Sequence, residues 1–162
     1  MQLSDIDIFV FDFDGVLTNN FVYLDQDGSE LVRCSRSDGL AFDAFRKLKK
    51  KVYILSTEKN PVVTARAKKL RIPVIQGVSN KLLALKKIIK KDGTKISRVF
   101  YVGNDLNDYH VIDKAGFTAC PIDSHELIKE NVTFILKTKG GEGVAREILE
   151  GIFKLDLLKI LY

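Results

Sequence analysis

Five short apolar runs, separated by segments of helical period, constrain this 162-residue chain more than anything else in it. IFVFDF (8–13), VYILS (52–56), PVIQG (73–77), RVFYVG (98–103) and FTAC (117–120) are rich in β-branched and aromatic residues. They lack the polar alternation of a half-exposed strand, so each reads as a strand buried on both faces. Helical patterns lie between or after them, at about 38–50, 60–70, 79–91 and 105–115. The repeated β-then-α order predicts an α/β fold: a parallel sheet with helices on both faces and right-handed crossovers. Ligands of such a sheet collect at the carboxyl ends of its strands. A single domain over 1–162 is expected, large enough to bury a core without disulfides or a structural metal.

Two segments depart from that rhythm. FVYLDQDGSELVR (21–33) places two strand-like runs around Asp27-Gly28, a turn-forming pair, which predicts an inserted β-hairpin. A two-stranded ribbon is marginal alone and its edges seek a partner, so oligomerisation is a natural remedy. The segment 143–162 follows TKGGEG and reads as a helical tail ending in a shorter second turn or helix.

Charge and cysteine content narrow the possible roles. The net charge of +5 comes largely from RKLKKK (46–51), RAKKLR (66–71) and LKKIIKKDGTK (85–95). No aromatic platform interleaves with these cations, so they read as solvated helical faces and not as a nucleic-acid surface. Cys34 and Cys120 are too few for a disulfide framework and fit a reducing cytoplasm. The amino-terminal residues lack a basic start and carry Asp5 and Asp7 ahead of the apolar run, so neither a signal peptide nor a membrane span is expected.

Candidate chemistry gathers where strands end. Asp12 and Asp14 in FDFDG have the i,i+2 spacing that puts both side chains on one face of a strand about to break at Gly15. Two adjacent like charges are costly unless one is protonated or a hard divalent ion such as Mg²⁺ bridges them; taken alone, the pair also fits a turn cap. Ser56 ends VYILS, where a hydroxyl and the following backbone N–H groups can hold phosphoryl oxygens or cap a helix. Lys81 falls in the first turn of a helix, a position unfavourable for a cation unless an anion is close. Asn104, Asp105, Asn107 and Asp108 crowd the loop after RVFYVG. The succession of carboxylate pair, hydroxyl, lysine and carboxamide-carboxylate cluster, each beside a strand end, is more informative than any one member. Neither GxxxxGK[ST] nor GxGxxG is present, which argues against P-loop and dinucleotide folds.

FDFDGVLTNN, the Asp27-Gly28 hairpin, SRSDGLA, ILSTEK, QGVSNK, YVGNDLND and KGGEGVARE together resemble the haloacid dehalogenase-like phosphatases. The compact branch containing 3-deoxy-manno-octulosonate 8-phosphate phosphatases is especially similar. So are the phosphatases of nine-carbon keto-sugar acid 9-phosphates and the phosphatase-like domain of acylneuraminate cytidylyltransferases. The resemblance implies a Rossmann-like three-layer αβα fold, capless apart from the hairpin. It implies Mg²⁺-dependent hydrolysis through an aspartyl-phosphate, with Asp12 as nucleophile, Asp14 as general acid and then base, and Ser56 and Lys81 holding the phosphoryl group. Asp12, the Asp14 carbonyl and Asn104 would hold the metal, with Asp105 or Asp108 in support. Asn104 departs from the family's GDDxxD loop and removes one negative charge. Glu58, Arg66 and Lys69 would bind the sugar acid, which favours a nine-carbon 9-phosphate over octulosonate 8-phosphate. A cytoplasmic homotetramer with a functional link to a cytidylyltransferase is the expected setting, and a weakly active assembly module is the other reading that Asn104 motivates.

Overall fold

The computed structural model describes every residue, Met1–Tyr162. β1 (Ile8–Phe11) is followed by β2 (Thr18–Leu24), β3 (Glu30–Cys34), α1 (Ser37–Lys47), β4 (Lys51–Leu55), α2 (Val62–Leu70), β5 (Val74–Ile75) and α3 (Lys81–Asp92). The second half contributes β6 (Val99–Val102), α4 (Tyr109–Ile112), β7 (Phe117–Cys120), α5 (Glu126–Lys129), β8 (Phe134–Ile135), α6 (Val144–Glu147) and α7 (Leu157–Leu161). Six of these strands form one sheet in the order β5-β4-β1-β6-β7-β8, parallel throughout. The expected parallel α/β architecture is therefore present. β2 and β3 pair antiparallel in a separate ribbon.

Strand order sets the position of the site. The chain leaves β1 toward β4 and β5 on one side, then returns to β6, β7 and β8 on the other. The crevice where the order reverses lies beyond the carboxyl end of β1, next to the ends of β4 and β6.

Alternation along β1 divides the core. Phe9 and Phe11 face a cluster with Phe42, Phe45 and Phe100, with ring centroids 4.6 Å apart for Phe9–Phe45 and 5.3 Å for Phe11–Phe42. Ile8 and Val10 face the opposite cluster with Tyr53, Leu85, Ile88, Tyr101 and Val111. Full burial of such side chains is worth about 1.5–3 kcal/mol each, so both helical layers are anchored to the strand that carries the site.

Some elements differ from the sequence expectation. The helix expected at 105–115 is only Tyr109–Ile112 after a tight turn over Leu106–Asp108. Asp105 Oδ1 accepts the Leu106 N–H, and Asp108 turns its carboxylate inward to accept the Asn104 N–H. That consumes the start of a regular helix. β8 and α5 are too short to carry a period. After α6 the chain widens into a π-helical turn, Ile148–Ile152, before Asp156 caps α7 through the Leu158 and Lys159 N–H groups.

The carboxyl-terminal segment is fastened by Asp38. This buried carboxylate accepts the Ala145 N–H at 2.9 Å, capping α6 from α1, while its Oδ2 has no partner. Burial is the main reason its carboxyl is pushed up to about 6, against the pull of the Ala145 and Arg146 N–H groups. The folded state thus holds this proton more tightly than the unfolded chain, so stability gained from Asp38 rises as pH falls from above 6 toward about 4. Ionised Asp38 costs the fold on the order of 2–3 kcal/mol at pH 8. Asp38→Asn, which keeps an acceptor oxygen without the charge, is expected to raise stability at pH 8 and flatten this pH dependence. Urea unfolding at pH 5 and pH 8 measures both effects.

Candidate active site

β1 ends at Phe11, and the next residues break away: Gly15 has φ 76°, and a side chain there would collide with Asn104. The Val16, Leu17 and Thr18 N–H groups all turn back to the Phe13 carbonyl. This tight loop leaves Asp12 buried and Asp14 half-buried at the edge of the crevice.

Lys81 reaches the same place from α3. Asn80 caps that helix by accepting the Leu83 N–H at 2.9 Å, so Lys81 is its first residue. The Lys81 ammonium lies 2.8 Å from Asp12 Oδ1 and 2.7 Å from Asp108 Oδ1, and its side chain is 1% exposed. These contacts supply the local anions that its unfavourable helix position demanded. Burial pulls the Lys81 ammonium down, but Asp12 and Asp108 outweigh it and hold its pKa above the ordinary value. Asp12 is pushed well up by burial and by Asp108, with Lys81 opposing. Both directions express one imbalance: two buried carboxylates share a single ammonium.

Asn104 completes this edge. It is buried, and the inward-facing end of its carboxamide lies 3.2 Å from Asp12 Oδ2 and 2.8 Å from the Asp14 carbonyl oxygen. With oxygen inward, three oxygens face one another; with nitrogen inward, the amide donates to both. The spacings match neighbouring ligands of Mg²⁺, which at bonds of about 2.1 Å are about 3 Å apart. No three His, Cys, Asp or Glu side chains form a metal cluster. The available donors are one carboxylate, one backbone carbonyl and one carboxamide, all hard oxygens. Together with the uncompensated negative charge, they fit a hard divalent cation.

Ser56 follows β4 and is buried; its Oγ accepts the Glu58 N–H at 3.0 Å, leaving its own proton for another acceptor. Asp14 has its pKa raised by burial first and then by Glu58, with Lys81 opposing and Glu30 adding to the rise. Glu58 also accepts the Asn60 N–H at 2.7 Å, folding its carboxylate over its own loop. Asp105 is exposed and caps the following turn, whereas Asp108 is fully buried.

Arg66 and Lys69 occupy a different place. They line a groove of about 650 Å³ between β3, α1 and α2, together with Arg36, Arg46 and Arg71. Asp12, Asp14, Ser56 and Lys81 do not line it. Arg66 donates to the Ser35 carbonyl at 2.6 Å, and its Nε is buried without a partner. Cys34 links the two regions: burial raises its thiol, Arg66 lowers it, and Asp38 and Asp14 raise it further.

Tyr101 was not singled out by sequence reasoning. Its hydroxyl donates to Asp108 Oδ1, yet in RVFYVG it reads as one more apolar strand residue. The only signal was a polar-tipped aromatic in a strand buried on both faces.

Comparison with known proteins agrees with this arrangement. The model of the haloacid dehalogenase-like hydrolases matches residues 18–148. The 3-deoxy-D-manno-octulosonate 8-phosphate phosphatase of Escherichia coli K12 is 31% identical over 150 residues, covering 92% of this chain and 80% of its own. A haloacid dehalogenase family hydrolase from Streptomyces avermitilis superimposes with a TM-score of 0.90 at 42% identity, covering 93% of this chain and 92% of that one. The octulosonate 8-phosphate phosphatase of Moraxella catarrhalis, solved with magnesium, phosphate and 3-deoxy-D-manno-octulosonate (KDO), gives 0.88 at 32% identity over 93% of this chain and 87% of its own. No helix of this chain is long and apolar enough to cross a membrane. The chain belongs to the haloacid dehalogenase-like hydrolase family, as a phosphatase close to the 3-deoxy-D-manno-octulosonate 8-phosphate phosphatases.

Proposed function

We propose that this phosphatase hydrolyses the phosphomonoester of a keto-sugar acid, with 3-deoxy-D-manno-octulosonate 8-phosphate as the leading substrate. The observation that carries the reaction is the placement of Asp12, Lys81 and Asn104 around one buried point at the strand-order reversal. Relatives that act on octulosonate 8-phosphate support the eight-carbon choice. A nine-carbon 9-phosphate is the second reading, motivated by Glu58 on the loop directly after Ser56, whose hydroxyl accepts its N–H.

In this reading the Asp12 carboxylate attacks phosphorus beside Lys81, whose ammonium lies 2.8 Å from Asp12 Oδ1. The phosphorus–oxygen bond to the sugar breaks, and Asp14 donates a proton to the departing oxygen. Its raised pKa helps it carry that proton. Asp14 then accepts a proton from the water that attacks the aspartyl-phosphate, releasing phosphate and restoring Asp12. Ser56 and Lys81 donate to the equatorial oxygens, where charge spreads in the transition state. Asp12, the Asp14 carbonyl and Asn104 would hold magnesium, which supplies positive charge to the phosphoryl oxygens when bound. Asp108 supports Lys81, and Asp105 shapes the loop.

The hairpin leaves Phe21, Val22, Tyr23, Leu24 and Leu31 exposed. An apolar ribbon of this kind supports assembly of several copies, and four is the proposed number. The basic groove bearing Arg66 and Lys69 would reach the sugar carboxylate either within one chain or across that assembly. A functional link to a cytidylyltransferase would supply a consumer for the freed sugar acid.

Phosphate release with Mg²⁺ is expected for octulosonate 8-phosphate at a kcat/KM at least about tenfold above that for a nine-carbon 9-phosphate, a difference of about 1.4 kcal/mol in transition-state binding. Reversal of that ratio would select the second reading. Asp12→Asn should abolish release from both. Absence of release by the unaltered protein would instead support the noncatalytic assembly role. Asn104→Asp adds a carboxylate to the cation site and should tighten Mg²⁺ binding by about tenfold or more, as read by titration calorimetry. Leu31→Asp should reduce the particle mass in analytical ultracentrifugation without unfolding the exposed ribbon's parent domain.

A further inference from the structure

We propose that Tyr101 is a positioning residue for the nucleophile: its hydroxyl holds Asp108 so that Lys81 bridges to Asp12 instead of collapsing onto Asp108. The inference rests on Asp12 being the attacking group. Alternation in β6 sends Phe100 and Val102 into one core cluster and Val99 and Tyr101 into the other. Tyr101 is 0% exposed, where an unpartnered hydroxyl would be costly. Its O–H donates to Asp108 Oδ1, the same oxygen that receives the Lys81 ammonium at 2.7 Å.

Asp108 is fixed at both ends. Oδ1 receives Lys81 and Tyr101, while Oδ2 receives the Asn104 N–H at 2.9 Å and, more weakly, the Asp105 N–H at 3.4 Å. The same Lys81 nitrogen is 2.8 Å from Asp12 Oδ1. Without the phenol, Asp108 Oδ1 would keep the ammonium as its only donor, and a charge-assisted bond would draw it closer. Lys81 would then retreat from Asp12, freeing the nucleophile to rotate. A neutral phenol relieves that pull without adding a second cation, which would compete for the carboxylates. Phenylalanine could fill the same core volume, so the hydroxyl is the part that packing leaves unaccounted for.

Tyr101→Phe, Asp108→Asn and the double variant test this by steady-state phosphate release at saturating Mg²⁺. Tyr101→Phe is expected to lower kcat about tenfold while moving KM by less than about twofold. In the Asp108→Asn background it should have almost no further effect, because the group through which it acts has changed. Unchanged kcat or additive losses would overturn the proposal. A crystal structure of Tyr101→Phe should show Lys81 Nζ withdrawn from Asp12 beyond hydrogen-bond distance; an unchanged contact of 2.8 Å would overturn it without reference to turnover. Absence of activity in the unaltered protein would count against the phosphatase reading, while that structure would still decide the role of Tyr101. Should Tyr101→Phe fail to fold, 3-fluorotyrosine at 101, a stronger donor, should change kcat by about twofold at constant KM. Unchanged kcat there would again overturn the proposal.

Discussion

The buried ammonium of Lys81, held between Asp12 and Asp108, is the interaction on which the site depends. A cation taken from water into a protein interior loses several kcal/mol of hydration, and close carboxylates recover it only with good geometry. That geometry joins three remote parts of the chain: the end of β1, the start of α3 and the loop after β6. Removing one partner would leave buried charge behind, so the trio constrains the relative placement of all three. The parallel sheet makes the meeting possible by bringing these segments to one edge. The trio then fixes their side chains far more tightly than the sheet alone requires.

Sequence reading recovered most of the sheet because its signal is local and repeated. Runs such as IFVFDF and RVFYVG declare buried strands through composition alone, and their separation by helices declares parallel pairing. The two-residue strand Phe134–Ile135 and the four-residue helices carry no such period, since tertiary contacts define them. Asp12, Lys81 and Asn104, which the structure brings together, stand in the sequence as polar residues at or just after strand ends. The strand-order reversal explains why they converge in space. Tyr101 was hidden because its ring serves the core and only its oxygen serves the carboxylates. The inward turn of Asp108 was equally hidden, as a loop carrying four polar residues gives no indication which one will be buried.

Two charge systems with different exposures meet near Cys34. Around Asp12 the charges are few, buried and paired at short distance. In the groove of Arg66 and Lys69 they are numerous, mostly cationic and open to solvent. Salt screens the second system strongly and the first hardly at all. An anionic ligand would feel the groove at long range and the buried trio only on contact. Under the proposed function this division would suit a substrate carrying a carboxylate at one end and a phosphate at the other: the open cations would steer and orient it, and the buried donors would act only where charge develops.

Under the proposed function the charge balance at the trio would give Asn104 a consequence beyond weaker metal binding. Ionised Asp12 and Asp108 with protonated Lys81 sum to −1, and a divalent cation brings that group to +1. An aspartate at 104 would return it to zero. In that reading the carboxamide would exchange attraction for the cation against attraction for an anionic phosphoryl group, through the same Coulomb interaction acting in opposite directions. Its short approaches to Asp12 and the Asp14 carbonyl place that exchange at the centre of the site. A carboxylate at this position would hold metal before substrate, whereas under the proposed function the carboxamide would make the two bind more nearly as a unit, each supplying charge that the other lacks.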